Sequence, residues 1–505
     1  MGAGCEQEPH YRQSRHRGRT RHKSVERLCG QAGQGAGDLL ARGLHLSNGG
    51  RSVGGEKTPD KMRRFLAAEE FRSVLALAAP IALLQTGMVL YGTVATLFAG
   101  RLGAAAIATV GLAGSTYFLL FIVALGILLG IDPLSSRAFG AGRHHECVEV
   151  LIHALTLAFL AVLPVFLLLS YSDRIFAFMG IDGRIAAGTA AYLKILRWSL
   201  FPGLFFAACR QYLQTMSITW PQLLAVILGN LVNAFLDYAL IFGRMGFPEC
   251  GVFGAAYAML AANSVMFAVA AAAAAVEIRR SRWRWHGFKP VILAELLRIG
   301  FPAGMQLLAE VGAFSLVTML CGRLGPVPAA AHQIVLNLAS LSWMVPAGVS
   351  YAAAVRVGQG LGRGRPGSAA RSGWSALVIG VAFMTLASAA FIFLPRRILG
   401  LYTVDAEVTA IGVRLLAVAA FFQVFDGIQV VLTGALRGLG ETRIPMAANV
   451  VGYWAVGLPV GVALALRAGW GALGFWIGLC LGLCFIAVAL LWVWRGRARH
   501  LVEMA

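Results

Sequence analysis

The chain has 505 residues, of which 58% are hydrophobic and only 13% charged, with a formal net charge of +20 and a mean hydropathy of +0.72. A soluble domain carries about a quarter charged residues, and a membrane β-barrel shows short alternating segments instead of long apolar runs, so both classes are excluded. The fold class expected is an all-α polytopic membrane protein.

In chain order, residues 1–61 hold 11 Lys/Arg against 6 Asp/Glu, with many glycines and no apolar periodicity. They fall in a disordered basic tail expected over 1–68. The surplus is only five, so the charge does not point to nucleic acid. No apolar core of a signal peptide is present, and Met1-Gly2 lacks the Ser/Thr that a myristoylation site needs. Met62-Arg63-Arg64-Phe65 opens an amphipathic lead-in and is the expected start of translation.

Apolar runs follow at about 74–99, 107–135, 147–171, 187–209, 219–243, 252–276, 294–321, 328–355, 372–394, 407–434, 444–466 and 470–494. At about 1.5 Å per residue each is long enough to cross a hydrocarbon core of roughly 30 Å, which predicts about twelve spans. The run 187–209 is the weakest, because Lys194 and Arg197 interrupt it. Cys480 and Cys484 lie one turn apart in an apolar run and read as packing residues.

The second half repeats the first. Pro80 and Gly100-Arg101-Leu102-Gly103 recur as Pro302 and Gly322-Arg323-Leu324-Gly325; Gly140-Ala141-Gly142-Arg143 recurs as Gly360-Leu361-Gly362-Arg363; Pro221 recurs as Pro445. Two lobes of six helices are therefore expected, an N-lobe over 69–276 and a C-lobe over 294–494. A linker over 277–293 joins them and a tail over 495–505 follows. An even number of spans per lobe puts the pseudo-two-fold axis along the membrane normal, with a cavity between the lobes. Basic residues alternate by loop: Arg63, Arg64, Arg72; Arg137, Arg143; Arg279-Arg280 to Lys289; Arg356, Arg363, Arg365, Arg371; Arg437, Arg443, Arg495, Arg497 and Arg499. The positive-inside rule then puts both termini in the cytoplasm.

Four acids lie within the apolar runs: Asp132, Asp237, Glu310 and Asp426. A carboxylate near the bilayer centre costs about 3 kcal/mol, so each needs a partner or a function. Helix arithmetic puts Glu310 and Asp426 at one depth, roughly 12 Å above the inner end, with no Lys or Arg nearby in either helix. Two buried like charges hold protons and cations strongly, as a coupling site for H+, Na+ or a cationic substrate requires. Gln306 lies one turn before Glu310, and Met88 occupies the half-repeat equivalent of Glu310, so the acid pair belongs to one lobe. Asn233 and Asp237 are one turn apart and face one side of their helix. Asp132 is expected to pair with a nearby arginine such as Arg137. His332, Gln333 and Asn337 open span eight and either contact substrate or bond between helices, the latter being favoured.

With Ala331-His332-Gln333-Ile334, Asn337, Val355-Arg356-Val357-Gly358-Gln359, Gly434-Ala435-Leu436-Arg437-Gly438 and Asn233 through Asp237 to Gly243, the chain resembles the multidrug and toxic compound extrusion (MATE) family over about residues 70–495. The resemblance implies two rocking six-helix lobes in a bacterial inner membrane that expel organic cations against H+ or Na+. It puts Glu310 and Asp426 where members carry acids of spans seven and ten, and Asn233 with Asp237 in an N-lobe cation site. It departs at Ala95, where many members carry Asp, and at Phe422, where some carry Tyr. The expected protein is a monomer, with a small cationic or amphipathic substrate and no cofactor beyond a coupling ion, Na+ or H+ at Glu310 and Asp426. A lipid-linked-sugar flippase is the alternative that Lys194 and Arg197 would suit. An enzyme is disfavoured, since the sequence offers no metal-ligand cluster, nucleophile–base arrangement or phosphate-cradling loop.

Overall fold

Residues 58–178, 183–284 and 287–504 are described in the computed structural model of the chain; residues 1–57, most of the expected tail, lie outside them. The described residues contain helices and no strand. The first half supplies α1 (Thr58–Gly100), α2 (Ala104–Leu128) continued by α3 (Ile131–Gly140), α4 (His144–Ser170), short α5 (Ser172–Phe178), α6 (Gly183–Leu196), α7 (Leu200–Thr215), α8 (Trp220–Phe242) and α9 (Phe253–Arg280). The second half supplies α10 (Pro290–Gly322), α11 (Pro326–Gly362), α12 (Pro366–Phe393), short α13 (Pro395–Leu399), α14 (Ala406–Gly438), α15 (Arg443–Asn449), α16 (Leu458–Val462) and α17 (Ala472–Glu503).

Eleven helical segments of the described chain are long and apolar enough to cross a membrane. The twelfth expected run is helical but broken: a 3-10 turn at Arg197–Ser199 separates α6 from α7, and neither piece alone reaches 18 residues. The two cations that interrupt the apolar run are held locally. Lys194 Nζ lies 3.5 Å from Asp173 Oδ2, and Arg197 donates to Ser170 Oγ at 2.5 Å while stacking over Phe166. Asp173, just beyond α4, is held below the usual carboxylate range first by the backbone N–H of Arg174 and then by Lys194. The last helix runs on to Glu503, through most of the segment expected as a tail.

Local chemistry sets the helix ends. Proline opens α10, α11 and α12, where its fixed φ suits the first turn and its missing N–H costs nothing. The repeated Gly-Arg-Leu-Gly turns end on Gly103 (φ 102°) and Gly325 (φ 111°), a backbone region that side chains avoid.

Buried apolar residues form two cores, one from each half. Each half's first helix, however, trades its leading end to the other core. Val74, Leu77, Ala78 and Ile81 of α1 pack with the C-terminal core, whereas Leu296 of α10 packs with the N-terminal core. The exchange occurs at the end of the bundle that carries the basic loops. There glycines let backbones touch: a Cβ on Gly300 would lie 1.8 Å from Ile127 O, one on Gly348 would lie 2.6 Å from Ala82 N, and one on Gly130 would lie 2.6 Å from Leu296 O. With no hydrophobic effect between helices in lipid, small residues of this kind are what allow close packing.

Candidate functional site

In the C-terminal half, α10 brings Glu310 and α14 brings Asp426 to one buried region. Asp426 is 5% exposed and Glu310 half-buried. No ion pair reaches either acid among the described residues. Gln429, one turn along α14 from Asp426, contacts Glu310 Oε2 at 3.4 Å and donates to Asn449 Oδ1 at 3.1 Å through its Nε2. Asn449 in turn donates to Pro445 O at 2.9 Å, which fixes the amide chain. Beyond Asn449 the backbone widens into a π-helix over Val450–Gly457, a distortion frequent at functional sites. It carries Tyr453, fully buried, and Trp454, whose Nε1 donates to Ala309 O at 3.0 Å.

Below Glu310 is a cavity of about 40 Å³ between the halves, lined by Gln306, Glu310, Trp343, Tyr351, Thr433 and Arg437 with Leu129 of the first half. Asp426, Gln429, Thr433 and Arg437 follow one another at steps of three, four and four residues, so they form a polar stripe down one face of α14.

Asp132 has a different partner from the one expected. Arg137 donates instead to Leu439 O, and the cation at Asp132 is Arg437 of the other half, Nε to Oδ2 3.0 Å, with the carboxylate fully buried and the guanidinium nearly so. The pairing is by proximity, since its angles fall outside a hydrogen bond. Neighbours in sequence misled here because Arg137 lies beyond Asp132 on α3 and is drawn across to the α14 terminus. Arg437 and Arg356, read from sequence as loop charges, lie inside helices. Arg356 pairs with Glu70 at 2.9 Å, and Ser368 and Ser372 also donate to that carboxylate.

The remaining expected residues lie elsewhere. On α8, Asn233 Nδ2 donates to Asp237 Oδ2 at 2.7 Å, both side chains being buried, and Asp237 Oδ1 has no hydrogen-bond partner among the described residues. Ala95 lies on α1 among residues whose side chains fall outside the description. Fully buried His332 accepts from Trp476 Nε1 at Nδ1 (3.0 Å) and meets Thr318 Oγ1 at Nε2 (2.9 Å), so it ties α10, α11 and α17 together. Each ring nitrogen is used, which marks a structural residue. We expect His332→Phe to lower stability by about 2–4 kcal/mol, through the orphaned Trp476 and Thr318 groups, without altering dependence on coupling ion. Thermal unfolding in detergent measures the first, vesicle transport the second. Gln333 is exposed, and Asn337 Oδ1 accepts from Tyr402 Oη at 3.0 Å, near the opposite end of the bundle.

Sequence reasoning missed Arg210 and Tyr351. Arg210 is buried on α7, donates to Gln85 Oε1 at 2.9 Å, and with Arg437 flanks the Tyr351 ring at 5.7 and 5.1 Å. It stands one residue past the expected end of span four, where the helix runs on to Thr215 and keeps it buried.

The MatE family model matches residues 80–239 and again 302–463, once in each half. The chain is 36% identical over 420 residues to the "Probable multidrug resistance protein NorM" of Brucella suis, covering 81% of this chain and 89% of that protein. It is 34% identical over 437 residues to the "Multidrug resistance protein NorM" of Burkholderia vietnamiensis, covering 84% and 94%. Among solved structures, the eukaryotic MATE transporter AtDTX14 superposes with a TM-score of 0.79 at 23% identity, covering 87% of this chain and 99% of that one. A MOP superfamily transporter from Pyrococcus furiosus gives 0.76 at 21%, covering 88% and 99%. These two likenesses establish the shared two-lobe fold.

Proposed function

The chain belongs to the MatE family of membrane transporters, and from that premise we propose that it is a secondary active exporter that expels organic cations or amphipathic drugs and metabolites in exchange for H+ or Na+. The observation that carries this reading is the acid pair Glu310 and Asp426, held in a buried region with no cation paired to either among the described residues. When ionised, the pair attracts a cationic substrate; when a proton or Na+ arrives, it is neutralised and the substrate leaves. A ligand drives reorientation only through different affinity for the two states, and a carboxylate whose charge changes supplies that difference. One chain encloses both lobes and both acids, so a monomer is the proposed working unit. The membrane is proposed to be the bacterial inner membrane, with the basic end cytoplasmic.

The flippase reading weakens because Lys194 and Arg197 are tied to Asp173 and Ser170, away from the acid cavity. The test is transport in proteoliposomes with a pH gradient and a Na+ gradient imposed separately. Export of an organic cation driven by one of them supports antiport; export driven by neither overturns it. Asp237→Asn is expected to reduce this transport by less than about fivefold, since the N-lobe pair lacks an Asp at Ala95. A rate loss as large as that of the acid-pair variants would shift the coupling site to the N-lobe.

A further inference from the structure

Beneath the acid pair the two lobes meet through charges that the antiport reading leaves unused. Asp132 and Arg210 come from one lobe and Arg437 and Tyr351 from the other. Arg437 pairs with the Asp132 carboxylate, and both guanidiniums stand over Tyr351. The cluster therefore holds two buried guanidiniums and one buried carboxylate, and its Arg437 and Tyr351 line the cavity that Glu310 also lines. Arg437 Nε and Nη2, both Asp132 oxygens and Thr433 Oγ1 are buried with no hydrogen-bond partner among the described residues. Polar groups in that state bind water, and the cavity has room for two or three molecules. A hydrated path leading from a cation site toward the cytoplasm would dissipate the driving gradient unless something stopped cations.

We propose that Arg437, held at the floor of the acid cavity by Asp132 of the opposite lobe, is the cation barrier and inner latch of the transport cycle, blocking H+ or Na+ from slipping to the cytoplasm until the two residues part and the cavity opens inward. Fixed arginines exclude cations from water-filled pores by the same electrostatics. The pair is suited to switching because its members sit on different lobes, so inward opening must separate them. Arg437 acts here as a positioning residue for transport, through charge rather than contact with substrate. The inference rests on the antiport reading.

The test uses the full chain in proteoliposomes, measuring decay of an imposed pH or Na+ gradient without substrate. Arg437→Gln is expected to speed decay roughly tenfold or more over wild type, and Arg437→Lys to stay near wild type because it keeps the charge. Removing one partner strands a buried charge and threatens folding, so the double variant Asp132→Asn/Arg437→Gln, which removes both, accompanies them. It is expected to be monodisperse and leaky. Hydrogen exchange over residues 131–140 and 434–442 should accelerate in the double variant. If the double variant holds its gradient as well as wild type, or if Arg437→Lys leaks as fast as Arg437→Gln, the inference is overturned. Substrate export by wild type, run alongside, separates this outcome from failure of antiport itself: wild type that couples while the double variant stays tight defeats only the barrier.

Discussion

Glu310→Gln is expected to lower gradient-driven export by about 100-fold or more while leaving the chain folded. Glutamine keeps the length and the Gln429 contact, so packing around α10 changes little. The charge is what disappears, and with it the difference in cation affinity between the two orientations, on which coupling depends. Asp426→Asn should fall in the same range, because a buried carboxylate with no paired cation is the other half of the proposed cation site. Initial rates of dye or organic-cation uptake into inside-out vesicles measure the effect. Near-normal export by a monodisperse Glu310→Gln protein would remove the acid pair from the mechanism.

Gly300→Ala is the second large effect, and it acts on the conformational equilibrium. The new methyl would have to occupy space 1.8 Å from Ile127 O and 2.7 Å from Ile127 C, both backbone atoms that cannot swing aside. Overpacking of this kind costs about 3 kcal/mol, charged to the state in which the lobes touch at their basic ends. At 1.4 kcal/mol per factor of ten, that shifts the population about 100-fold toward the inward-open state. Slow transport and faster hydrogen exchange over residues 124–131 and 296–304 are the expected readouts. Gly322→Ala at the far end of the same helix, where a Cβ meets nothing within 4 Å, is the matched control and should behave as wild type. Equal behaviour of the two variants would show that the close approach does not hold the lobes together.

Much of the fold was legible in residues alone. Apolar runs predicted the spans, and the repeated Pro80/Pro302 helices with their Gly-Arg-Leu-Gly turns predicted two related halves. Both features follow from strong local rules: a bilayer fixes helix length, and a positive φ at Gly103 and Gly325 demands glycine. The exchange of α1 and α10 between cores was not legible, since a helix apolar on most of its surface does not say which neighbour it will touch. At the site, helical rise alone predicted one depth for Glu310 and Asp426, and Gln429, one turn along α14 from Asp426, contacts Glu310 on α10. The partner of Asp132 was misread because proximity in sequence favoured Arg137 over Arg437.

By itself, then, the sequence determined the membrane environment, the helix count to within one broken span, the duplication, and which acids are costly enough to matter. Each is a consequence of transfer free energy and helix geometry, which act residue by residue. Only the tertiary structure decided that Arg437 pairs with Asp132 and meets Arg210 over Tyr351, that His332 is consumed by Trp476 and Thr318, and that Glu70 is claimed by Arg356. Charge pairing inside a bilayer is a competition among every group the fold brings within a few ångströms. Its outcome depends on lobe-to-lobe packing that no single helix encodes.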